Sequence, residues 1–128
     1  MRKLKLTERG WPGHYILCER CVFHRNTLIE FGAKRVVVST VGNLRKIDPP
    51  HAIDTIGCGR YYETKAFPAR WDAPYWEAAT SGQLDFKSPW SICAENPEDL
   101  PDDADTRADR MHERVVAEIS RRLKRGKV

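Results

Sequence analysis

The sequence predicts an α+β fold: an antiparallel β-sheet with a C-terminal amphipathic helix packed on it. Three observations lead there. Short β-branched and aromatic segments, broken by Gly, Pro, Asn and Ser, run from residue 14 to residue 93. The period then changes, and Ala108, Met111, His112, Val115, Ile119 and Leu123 recur at spacings of three or four, one face of a helix. The length of 128 residues, with 41% hydrophobic and 31% charged residues, suits one soluble domain over 1–128.

Each element has a local reason. Gly10-Trp11-Pro12-Gly13 reads as a turn, and His14–Cys18 as a short strand after it. Asn26–Phe31 and Lys34–Val41 read as a hairpin joined by Gly32-Ala33, a two-residue loop with glycine first. Gly42-Asn43 is expected to end the second strand, and Asp48-Pro49-Pro50 to form a loop. Ile53–Ile56 and Arg60–Phe67 read as further strands, with Pro68 stopping the latter because proline cannot donate to a central ladder. Residues 75–79, 83–87 and 90–93 read as short strands separated by Ser81-Gly82 and Ser88-Pro89. Residues 95–109 carry seven acids among fifteen residues and read as a loop before the helix. Asp102 or Asp103 is expected to cap the helix, and Gly126 to end it.

The net charge of +4 is unevenly placed. Arg2, Lys3 and Lys5, with Arg121, Arg122, Lys124, Arg125 and Lys127, are 8 of the 22 basic residues. The remainder carries 14 basic against 18 acidic groups, a net of −4. These ends, about 1–8 and 121–128, are expected to be flexible and solvated. The last group also suits the negative pole of a helix. A nucleic-acid partner is therefore disfavoured, although removing residues 121–128 would test it. No stretch approaches the ~20 apolar residues of a membrane span, and the N-terminus lacks the apolar core of a signal peptide. A cytoplasmic setting is expected, with no membrane partner. Cys18, Cys21, Cys58 and Cys93 are then expected as free thiols.

Motifs for catalysis, metals and cofactors are incomplete. Cys18-x-x-Cys21-x-x-His24 is half a zinc site, with His14 or Cys58 as a fourth ligand. On a strand the two cysteines would point to opposite faces, so no metal is expected. His112-Glu113 matches the start of HExxH, but Val116 stands where the second histidine belongs. Gly57-Cys58-Gly59-Arg60 lacks the third glycine and following helix of a dinucleotide site. There is no GxSxG elbow and no Walker A pattern, so neither an enzyme nor a cofactor is expected. Small nucleic-acid-binding and zinc-stabilised proteins of phage or bacteria remain the alternatives.

The β-rich segments do carry ligand chemistry. Arg25 and Arg60 can fork onto phosphate oxygens. Tyr62 and Phe67 offer stacking faces. Asn26, Thr27, Thr40 and Asn43 can bond base or ribose edges.

A wider pattern gives this set a context. It runs through Arg9-Gly10-Trp11, Gly13-His14-Tyr15-Ile16, Cys21-x-Phe23-x-Arg25-Asn26-Thr27-Leu28 and Val36–Gly42. It continues through Thr55-Ile56-Gly57, Arg60–Thr64 with Phe67, and Met111-His112-Glu113-x-Val115-Val116-x-Glu118. Over most of residues 9–120 the chain resembles the phage Thoeris anti-defence proteins of the first type. The resemblance implies a phage-encoded sponge acting in the host cytoplasm. Such a protein binds glycocyclic ADP-ribose, the immune signal made by a TIR-domain enzyme, and does not cleave it. It implies a homo-oligomer with nucleotide sites between subunits and, in some members, separate sites for cyclic oligonucleotides. Under that reading Arg25 and Arg60 hold phosphates. Asn26, Thr27, Tyr62 and Phe67 hold base and ribose, with Thr40 and Asn43 at the same mouth.

Overall fold

A computed structural model describes residues 2–128. Seven strands and one helix follow in chain order: β1 Leu4–Glu8, β2 Cys21–Phe31, β3 Lys34–Arg45, β4 Ile53–Asp54, β5 Arg60–Asp72, β6 Tyr75–Ala78, β7 Ser91–Cys93 and α1 Ala104–Lys124. The sheet is antiparallel throughout, in the order β1-β2-β3-β5-β6, with β4 on β3 and β7 on β5. The fold is thus the α+β arrangement that the sequence predicts. No helix among the described residues is long and apolar enough to cross a membrane.

Two faces divide the work. On one, Ile29, Val36, Val38 and Ala66 meet Val115, Val116, Ile119 and Leu123 of α1. The same face continues into Tyr61 and Tyr62 against Ala104, Ala108 and Met111. Full burial of an aliphatic side chain contributes about 1.5–3 kcal/mol, so this seam holds α1 to the sheet. On the other face, Cys21, Val41, Leu44 and Ile56 pack under Tyr15, Leu17 and Cys18.

That second packing explains one departure. Residues 14–18 are not a strand; they form turns leading into a short 3-10 segment at Cys18–Arg20. The segment crosses the sheet face, so Tyr15, Leu17 and Cys18 pack onto the core while Ile16 stays exposed. β2 accordingly begins at Cys21, five residues before the expected start.

Gly42 does not end β3, which continues to Arg45. It sits opposite Tyr62, and a Cβ there would lie 2.3 Å from the Tyr62 ring and 2.7 Å from the Tyr61 carbonyl. Glycine is needed for close strand approach, not for a turn. Pro68 does not stop β5 either. It is the last pair of the β3–β5 ladder, opposite Val36, and its carbonyl accepts from the Ala79 N–H. A proline is tolerated where one ladder hands over to the next. Beyond it, Ala69–Asp72 pair with β6. Residues 83–87 are not a strand and contribute a single bridge, Leu84 to Ala66.

Much of both charged ends, expected as solvated tails, lies in regular structure. Residues 4–8 are β1, paired to β2 along its length. Residues 121–124 are the last turn of α1. Gly126 (φ 68°) closes that helix: its N–H bonds the Leu123 carbonyl, and the Lys127 N–H bonds that of Arg122. This is the Schellman pattern, which glycine favours because it accepts a positive φ. Val128 then packs back on the core. At the other end α1 starts at Ala104, inside the expected loop. Asp103 occupies the cap position, but its carboxylate bonds Arg107 Nε at 2.9 Å rather than a helix N–H.

Candidate functional site

The eight expected site residues do not share one mouth. Arg25 lies beside α1 within an acidic ring, with Glu8 at 2.9 Å, Glu113 at 2.6 Å and Asp109 at 3.6 Å. Three carboxylates already satisfy its fork, so an incoming phosphate would have to displace them. Arg60 is similarly engaged: its Nε donates to Glu63 at 2.8 Å, and its guanidinium lies 5.5 Å from the Trp90 ring. Phe67 is buried and tilts against the His14 ring at 5.9 Å. Tyr62 is buried in the core, with its hydroxyl donating to Asp105. Asn43 joins Tyr62 at a separate 320 Å³ cavity whose rim carries Glu98, Asp102 and Asp105, a poor place for an anion.

Thr27 and Thr40 belong to a buried relay centred on His112, which is 0% exposed. Thr27 Oγ1 lies 2.6 Å from Glu8 Oε2 and 2.7 Å from His112 Nε2. Thr40 Oγ1 lies 2.6 Å from His112 Nδ1 and 2.7 Å from Thr64 Oγ1. Directions follow from the donor count. An ionised Glu8 only accepts, so Thr27 gives it the hydroxyl proton. Thr27 must then accept from His112 Nε2–H, and His112 Nδ1 accepts from Thr40. The Thr40 oxygen is left to accept from Thr64. Burial, aided by Arg25, pulls the His112 pKa down to about 3, in keeping with this neutral tautomer. For Glu8, burial works to raise the carboxyl, but the bonds from Arg25 and Thr27 outweigh it and hold it below the usual range.

A second histidine pins the crossing segment to the opposite face. His14 Nε2 donates to Glu63 at 2.9 Å, and its Nδ1 faces Ser39 Oγ at 2.9 Å. Burial opposes the Glu63 charge, but His14, Lys65 and Arg60 outweigh it and hold that carboxyl low. Ser39, His14 and Glu63 have the composition of a nucleophile relay. Ser39 is only 1% exposed and, with His14, lines a small cavity.

The Cys18, Cys21 and His24 side chains do not converge: His24 Nε2 donates to the Cys18 carbonyl at 2.7 Å. Burial first, then Cys18, raises the Cys21 thiol to about 11. Among the described residues no three His, Cys, Asp or Glu side chains gather as a metal site.

One expected residue does lead to a groove. Asn26 is 2% exposed and sits under Arg9. Its Oδ1 accepts from Arg9 Nε at 2.8 Å, and its amide nitrogen donates to the Pro12 carbonyl at 2.7 Å. Arg9 Nη1 donates to the Trp76 carbonyl. Two cavities meet at Arg9, Pro12 and Glu77, which line both. The inner one, 190 Å³, reaches His14, Asn26 and Ser39. The outer one, 610 Å³, is walled by Trp11, Tyr75 and Trp76. Trp11 is 50% exposed and Tyr75 64%, so both present free ring surface. The outer cavity falls in the size range of small-ligand sites. The sequence pattern contains Arg9 and Trp11 but gives neither a role. Tyr75, Trp76 and Glu77 escape it altogether, and their only signal is an aromatic-rich stretch beside an acid.

No family model, curated protein or solved structure matches the chain.

Proposed function

We propose that the protein binds and sequesters a small signalling nucleotide without cleaving it, in the groove around Arg9. The observation that carries this reading is Arg9 itself. It is a guanidinium fixed by Asn26 and Trp76 at the junction of two cavities, one of them walled by exposed aromatic rings. A cation locked in place loses little freedom on binding, and aromatic faces stack on any base. Glycocyclic ADP-ribose is the ligand implied by the resemblance to the Thoeris anti-defence proteins, with the infected bacterial cytoplasm as the setting. Arg25 and Arg60 are replaced in this proposal by Arg9, because their carboxylate partners already occupy them.

The oligomer implied by that resemblance is part of the proposal. Trp11 and Tyr75 are exposed on the wall of the outer cavity, and Trp71 is exposed on β5, its ring 5.3 Å from that of Trp76. A second copy closing over them would exclude water from the bound base. The test is thermal-shift titration with glycocyclic ADP-ribose, followed by chromatography of ligand recovered after heating. Saturable stabilisation with intact ligand is expected, since native-state binding raises apparent stability. Arg9→Ala and Trp11→Ala should each remove it. Altered ligand would make the protein an enzyme, and no stabilisation of the native chain would overturn the reading.

A further inference from the structure

The groove holds two opposite charges apart. Glu77 lines both cavities, as Arg9 does. Glu77 lies close enough for its charge to oppose the burial that lowers the Arg9 pKa. Yet the hydrogen bonds of Arg9 go to Asn26 and Trp76, and among the described residues no ion pair joins it to Glu77. The reason is mechanical: a buried amide and a strand carbonyl hold the guanidinium back. Arg9 spends two of its five N–H donors on those anchors, so three are left over. Glu77 contributes acceptors only.

Because a phosphate beside Arg9 would also face the Glu77 carboxylate, the pyrophosphate of a bound nucleotide must lie outside this arrangement. The pair suits a planar group with donors on one edge and acceptors on another. Among nucleobases only guanine offers both in pairs. Its N1–H and N2 amino group match a carboxylate, and its O6 and N7 match a guanidinium. Adenine would set its N1 lone pair against Glu77, so it satisfies the carboxylate only through its N6 amino group.

We propose that this groove reads guanine, with Glu77 accepting from N1–H and the N2 amino group, Arg9 donating to O6 and N7, and Trp11 and Tyr75 supplying stacking surface. The inference rests on the nucleotide-binding reading above and adds a base preference to it: the adenine-bearing glycocyclic ADP-ribose is bound, and a guanine-bearing ligand is bound more tightly.

The experiment is isothermal titration of the full chain with GMP, AMP, IMP and 7-deaza-GMP, and with glycocyclic ADP-ribose in parallel. GMP should bind at least about tenfold more tightly than AMP, the size expected for one good bidentate base contact. IMP, which lacks the N2 amino group, should lose affinity. So should 7-deaza-GMP, which lacks N7. In Glu77→Gln the gap between GMP and IMP should close while circular dichroism stays native. Arg9→Lys should erase the penalty for 7-deaza-GMP, since one ammonium cannot span O6 and N7. Equal or tighter binding of AMP, or a guanine preference that survives Glu77→Gln, overturns the base assignment and leaves nucleotide binding standing. No binding of any of the five ligands overturns both.

Discussion

At the residue scale, His112 is held on every side. It is fully buried and its two nitrogens face two threonine hydroxyls. Removing the ring would leave Thr27 and Thr40 without their partner and open a cavity beneath α1. His112→Ala should therefore cost about 3 kcal/mol or more, read as a shift in the urea midpoint at constant slope. The nitrogen-15 spectrum checks the tautomer separately: Nε2 should carry the proton and Nδ1 should not. A protonated Nδ1 would reverse the whole relay from Thr64 to Glu8. This histidine is legible in the sequence only as an inner-face residue of the helix. Its partners lie 72 and 85 residues away, and no spacing rule connects them.

At the scale of elements, β5 is the organising strand. It carries β3 on one side and, in turn, β7 and β6 on the other. Where β3 passes it at Gly42 there is no room for a Cβ, which would lie 2.3 Å from the Tyr62 ring. Gly42→Ala would push a methyl group into that ring and the Tyr61 carbonyl, both held by the core. A loss of about 2 kcal/mol or more is expected, read by chemical denaturation. A neutral result would show that β3 and β5 can move apart there. The strand and helix periods alone make β2, β3, β5 and α1 legible in the sequence. Misreadings arise where one residue type serves two purposes. Gly42 has the look of a turn residue but permits close approach, and Pro68 has the look of a stop but sits at a handover between ladders.

For the whole molecule, acid should be the main destabilising condition. His112 stays neutral in the fold down to about pH 3, whereas an exposed histidine takes a proton near 6.5. Below about 6.5 the unfolded chain therefore binds a proton that the native chain refuses. Stability falls as pH drops, by up to about 1.4 kcal/mol per unit. Glu8, Glu63 and Glu118 all have carboxyls held below the ordinary value. Their contribution is present above the unfolded carboxyl range and is lost at lower pH. Urea midpoints between pH 7.5 and about 2.5 should show both phases. His112→Gln should flatten the upper one and spare the lower.

The groove is largely illegible in the sequence for a related reason. Arg9, Asn26, Tyr75 and Glu77 come from the start of the chain, from β2 and from β6, and only the folded sheet gathers them. Among the expected ligand residues, those on β2 and β3 fall mostly on the helix face, because register decides which side a residue serves.

The basic N-terminus has a role of its own in such a sheet. β1 is an edge strand with β2 on one side, and such a strand offers unpaired backbone groups to any passing chain. Lys3 stands at its threshold and Lys5 within it. Charged side chains there repel a stacking copy before its backbone can add to the ladder. The lysines thus act as a guard against runaway fibre growth, whatever closed assembly the aromatic surface supports. Replacing both with threonine should leave the thermal midpoint almost unchanged. It should also raise thioflavin fluorescence and light scattering on prolonged incubation, whereas a clear solution would show that the edge needs no such protection.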